Sequence, residues 1–179
     1  MEDIKKKNII ADLLVDLKSK DNTILLKALK RVRSKGSETV IPSLIKIIET
    51  NEDNKVVNEA KSIILELKST ASIPFLLDEL DNEKTEIREL VLSAFWQTGF
   101  NAHQYIDRFV KAGIEGTLME TIEAFTIIDS LEGPFEEELI MEGQLLLNQY
   151  FNANSEVNEK SQLLKSISKA LENYERSIN

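Results

Sequence analysis

Two segments of this chain, Ile41 to Ile48 (IPSLIKII) and Ile73 to Leu80 (IPFLLDEL), carry the same pattern 32 residues apart. A weaker copy lies 31 residues before the first, where Leu13, Leu14 and Leu17 take the places of Leu44, Ile45 and Ile48. Another lies 29 residues beyond the second, where Tyr105, Ile106 and Phe109 answer to Leu76, Leu77 and Leu80. A period near 30 with helical spacing inside each copy predicts helix pairs that stack on one another, because no single pair can bury its apolar side alone.

Longer helices are predicted between these short ones. Val56, Ala60, Ile63, Ile64 and Leu67 are matched 31 residues later by Ile87, Val91, Ala94, Phe95 and Thr98. The offsets i, i+4, i+7, i+8 and i+11 trace one stripe of a helix. Leu25, Ala28, Leu29 and Val32 form such a stripe upstream, and Leu118, Ile122 and Phe125 form a looser one downstream. Pro42 and Pro74 fall in first turns, Asp21, Asp53 and Ser72 are expected N-caps, and Gly36 and Gly99 are expected to close helices in the left-handed conformation. After Gly133-Pro134 the pattern predicts a helix to about Phe151 and another to about Tyr174, with Val157, Leu164, Leu171 and Ile178 seven apart and Ile167 and Tyr174 beside them as an end cap. The expected organisation is one domain, with four helix pairs over residues 1–132 and a capping pair over 133–179.

Composition supports helix, since the chain holds only 6 Gly and 3 Pro. It has no cysteine, which removes disulfides, thiolate metal sites and cysteine nucleophiles together. Asp12 and Asp16 interrupt the apolar stretch after Lys5 to Lys7, so neither a signal peptide nor a membrane span is expected there. A soluble, cytoplasmic protein follows as the expectation.

The net charge of -9 is unevenly spread. Met1 to Gly36 holds ten Lys/Arg against five Asp/Glu, whereas Ala112 through Glu159 contains no Lys or Arg at all. Such an acidic region favours basic partners and repels nucleic acid. The basic cluster Lys27, Lys30, Arg31, Arg33 and Lys35 reads as a solvated face, with contact to an anion and weak head-to-tail self-association as alternatives to a plain monomer.

The third pair, with Leu80-Asp81 at its turn and then Ile87, Arg88, Val91, Ala94, Phe95 and Gly99, is similar to the consensus of HEAT repeats. The chain as a whole resembles that family over about residues 9 to 131. The resemblance implies an all-α, right-handed superhelix of about five HEAT-like helix pairs, with second helices lining the concave face. It also implies a pairing of a turn aspartate with a second-helix arginine between neighbouring repeats. Asn58 or Val57 stands where the second pair should carry that arginine.

On a helical wheel the third long helix centres its stripe between Ile87 and Val91, so Glu89, Leu92, Ser93 and Trp96 are expected on the concave face. Trp96 is the only tryptophan, a residue type enriched at binding hot spots. Packing of Trp96 against neighbouring helices is the competing reading. The aromatic run Phe95, Trp96, Phe100, Tyr105 and Phe109 is expected as core in preference to a ligand pocket. His103, the only histidine, is expected in a loop or cap and offers no metal-binding spacing. Glu136, Glu137 and Glu138 suit the start of a helix, where the dipole favours acids.

No phosphate loop, nucleophile elbow or dinucleotide fingerprint is present, and no metal or cofactor is expected. Among HEAT-type enzymes, iron-dependent hydroxylases need repeated His-Glu pairs, which a single histidine followed by Gln104 cannot supply. No motif selects the bilin lyases. DNA glycosylases of HEAT-like fold use a basic groove, and they are the alternative reading because Trp96 and Arg88 fit in type, although the acidic second half suits duplex DNA poorly. The expected function is a non-catalytic scaffold or adaptor that binds a protein or peptide, a basic one by charge, and neither nucleic acid nor membrane. Leu65, Leu92 and Trp96 are the expected anchors, with Glu89, Glu120 and Glu123 as acidic selectors around them.

Overall fold

The computed structural model describes residues 2–178, with side chains from Asn8 onward, so the Lys5 to Lys7 side chains lie outside the described residues. All regular structure among them is helical. The chain forms two compact units, residues 1–79 and residues 80–179. No described helix is long and apolar enough to cross a membrane.

The first unit contains α1 (Glu2–Asp16), α2 (Asn22–Lys35), α3 (Ile41–Thr50), α4 (Asn54–Leu65) and α5 (Ile73–Asp78). Its helices start where local chemistry favours a start. The Asp21 carboxylate accepts from the Thr23 amide at 2.7 Å and Asp53 from the Lys55 amide at 2.8 Å, satisfying donors that have no partner within the helix. Pro42 and Pro74 occupy the first turns of α3 and α5. α1 packs on α2, α3 on α4, and α2 on α4. The predicted stripes are the core: Leu25, Ala28, Leu29 and Val32 on α2 face Val56, Ala60, Ile63 and Ile64 on α4, all buried.

Polar ties run between the pairs at the repeat spacing. Asn22 donates to Asp53 at 3.2 Å and accepts from Asn51 at 3.0 Å, which joins the α1–α2 turn to the α3–α4 turn. Arg33 donates to Glu59 and to the Ser62 hydroxyl, each at 2.9 Å, and to Glu66. Arg31 pairs with Asp16 at 2.7 Å. Two cations of the expected basic cluster are therefore neutralised within the unit.

Two cap expectations are modified here. Ser72 does stand at the N-cap of α5 but makes no cap hydrogen bond; it is buried and its hydroxyl finds no protein partner, while Ser69 accepts from the Ala71 amide ahead of it. Gly36 is extended, not left-handed, and what restricts it is space: a Cβ there would stand 2.7 Å from the Val32 carbonyl oxygen.

The second unit contains α6 (Thr85–Thr98), α7 (Ile106–Glu115), α8 (Leu118–Asp129), α9 (Glu137–Ala153) and α10 (Glu159–Ile178). α8 packs between α6 and α10, α7 packs on α8 and α9, and α9 packs on α10. Gly99 does end α6 in the left-handed conformation, at φ 65. Phe95 and Phe109 meet edge to face at 4.9 Å, and Phe100 is buried near the end of the same helix, so these aromatics are core. Leu164, Ile167 and Leu171 of α10 are buried, whereas Val157 precedes the helix and Ile178 ends it, both exposed. Tyr174 donates its hydroxyl to the Ile128 carbonyl and stacks on Phe135 at 4.0 Å; His103, in a short turn before α7, meets the edge of Phe135.

Candidate protein-interaction face

The surface that stands out in the second unit is created by the rotation of α8 about its own axis. The sequence LMETIEAFTIID contains two apolar stripes, Leu118-Ile122-Phe125 and Ala124-Ile127-Ile128. Helical period alone cannot choose between them. The structure buries Glu120, Thr121, Ala124, Ile127 and Ile128, and leaves Leu118, Met119 and Ile122 exposed at 37%, 52% and 39%. The expectation that Leu118 and Ile122 mark the core side is therefore corrected.

Polar ties explain the choice. Thr117 and Glu120 form a capping box: the Thr117 hydroxyl accepts from the Glu120 amide at 3.2 Å, and the Glu120 carboxylate accepts from the Thr117 amide at 2.5 Å. The other oxygen of Glu120 receives the Nε of Arg88 on α6 at 2.6 Å. Arg88 is held in turn by the Asn82 carbonyl and the Thr85 hydroxyl. Thr121 donates to the Gly113 carbonyl at 2.8 Å, and Lys160 of α10 donates to the carbonyls of Ile114 and Gly116 at the end of α7. Burial would raise the Glu120 carboxyl, but the Arg88 guanidinium and the Thr117 amide and hydroxyl outweigh it and hold the group below the usual range. Burial lowers Lys160, against the opposing pull of the Glu120 charge. A carboxylate this tightly held cannot turn outward, so α8 keeps Leu118 and Ile122 on the solvent side.

Glu120 is thus an internal tie and not a rim selector, a correction to its expected role at the surface. The turn aspartate and second-helix arginine do not pair either: Asp81 receives Arg108 at 2.9 Å and Lys111 at 3.1 Å from α7, and Arg88 goes to Glu120.

Leu92 is also corrected. It is fully buried, because α6 is covered on more than the one side that the wheel assumed, and Ile87, Leu90, Val91, Leu92, Ala94 and Phe95 are all inside. Trp96 stays 44% exposed. Glu89 and Glu123 are half-buried; the Ser93 hydroxyl donates to Glu123 at 2.9 Å and the Thr117 hydroxyl to Glu89 at 3.4 Å. Leu65, half-buried at the end of α4, belongs to the first unit.

The structure therefore keeps Glu89, Trp96 and Glu123 at the α6/α8 surface and withdraws Leu92 and Glu120. It adds Met119 and Ile122, three residues apart on the outward stripe of α8. The signal that could have found them is Thr117-x-x-Glu120, a capping-box pattern that fixes where α8 begins and which side its third residue must face. No group of three or more His, Asp or Glu side chains among the described residues could hold a metal. No protein-family model, curated protein or solved structure matches this chain.

Proposed function

We propose that this protein is a non-catalytic interaction module, built of HEAT-like helix pairs stacked in a superhelix, and that it docks a protein or peptide on the α6/α8 face of residues 80–179. The observation that carries this reading is the pinned rotation of α8. Three side chains that could have joined the core, Leu118, Met119 and Ile122, are held outside by a buried ion pair and a capping box, and Trp96 on the packed helix α6 is exposed as well. Exposed apolar side chains on two packed helices, an aromatic among them, fit a surface that is covered in use.

Charge favours a basic partner. Glu89 and Glu123 lie on this face, and no Lys or Arg occurs from Ala112 through Glu159. Arg88, the cation a DNA-binding reading would use here, is taken up by Glu120. The absence of cysteine suits a reducing, cytoplasmic setting.

Photo-cross-linking from position 118, exposed at the start of α8, in extract of the native cell tests the reading. A discrete partner is expected, lost in the double variant Met119→Asp and Ile122→Asp while the thermal midpoint stays within a few degrees. Cross-links unchanged by that variant, or tight binding of duplex DNA at low salt, would remove it.

A further inference from the structure

Two half-buried carboxylates of the α6/α8 face, Glu123 and Glu89, are oriented by neutral hydroxyls, Ser93 for the first and Thr117 for the second. A hydroxyl directs a carboxylate without balancing its charge. No lysine or arginine among the described residues pairs with either one. The closest candidate in sequence, Arg88, spends its donors on Glu120, the carbonyls of Asn82 and Glu83, and the Thr85 hydroxyl. Trp96 follows Ser93 by one helical turn, which sets their Cβ atoms roughly 5–6 Å apart on one side of α6. The carboxylate that touches Ser93 therefore stands within a side-chain length of an exposed indole.

An exposed indole one turn from the residue that holds an uncompensated carboxylate offers both parts of a receptor for a flat cation. We propose that this face recognises an arginine of its partner, with the guanidinium plane on Trp96 and its N–H edge on Glu123, while aliphatic neighbours of that arginine cover Met119 and Ile122. Arginine fits better than lysine because its planar, weakly hydrated head can stack and fork to a carboxylate at once, whereas an ammonium is a strongly hydrated point charge. The proposal rests on the reading of the α6/α8 face as a docking surface.

Because Trp96 is the only tryptophan, its fluorescence reports on this site directly. The full chain would be titrated with three short blocked peptides on one leucine framework, carrying arginine, lysine or the neutral isostere citrulline. The arginine peptide is expected to shift Trp96 emission and bind about tenfold more tightly than the citrulline peptide, with lysine between them. Glu123→Gln is expected to erase most of that margin, and added salt to narrow it. If Glu123→Gln loses its helical circular dichroism, Ser93→Ala, which releases the carboxylate without removing it, supplies the comparison with the margin reduced. Equal binding of the arginine and citrulline peptides would overturn the arginine proposal and leave the docking face standing. No change in Trp96 emission with any of the three would overturn both.

Discussion

Residues 1–79 and 80–179 use the same spacing to opposite ends. In the first unit, positions about 31 apart are joined at the turns by the Asn22 amide, which donates to the Asp53 carboxylate and accepts from Asn51, the ion pairs of Arg33 lie partly in solvent, and the apolar stripes face inward as their period predicts. In the second unit, positions 32 apart are joined by Arg88 and Glu120, an ion pair with Glu120 fully inside. Fourteen Lys and Arg against thirteen Asp and Glu leave the first unit nearly neutral; eight against eighteen leave the second at about -10. The contrast shows what a buried charge does to a repeat. A polar tie at a partly solvated turn leaves helix rotation to the hydrophobic effect, whereas a buried carboxylate that must meet its cation sets the rotation itself.

Removing the tie in each unit should separate the two cases. Arg88→Ala leaves Glu120 buried and without its guanidinium, and should cost about 3 kcal/mol by denaturant unfolding. A loss under about 1 kcal/mol would mean that the pair does not hold α8.

The same pair gives the second unit an acid-sensitive component. The folded-state carboxyl of Glu120 is lowered, so its contribution is present above the unfolded value near 4.5 and is lost as pH falls through the lower folded value. Stability measured from pH 6 down to pH 3 should fall, and Arg88→Ala should flatten that slope. An unchanged slope in the variant would assign the acid sensitivity elsewhere.

Asn22→Ala, which removes its hydrogen bonds to Asp53 and Asn51, should cost only about 1 kcal/mol, because the groups it releases at this turn can be met by water. A cost equal to that of Arg88→Ala would erase the contrast between the units.

Much of the fold could be read before the structure, and the reason differs by place. The stripes of α2 and α4 were legible because each helix has one apolar side and strong caps at Asp21 and Asp53. α8 was not, because its twelve residues hold two stripes of similar period and a pairing 32 residues away decides between them. Leu92 was misplaced for a related reason: a wheel assigns one buried side, and α6 has α8 packed beside that side. Trp96 could be singled out as an unusual residue, but its exposure depends on packing that no local pattern encodes.

α8 presents Met119 and Ile122 to solvent while Ala124 faces inward. A chain without cysteine makes the test direct. Single variants Met119→Cys, Ile122→Cys and Ala124→Cys would be labelled with a thiol reagent under native conditions and their rates compared with the unfolded chain. Rates within about tenfold of the unfolded chain at positions 119 and 122, with strong protection at 124, are the predicted result. Protection at 122 with rapid labelling at 124 would mean that α8 turns its other stripe inward and presents no apolar face at positions 119 and 122.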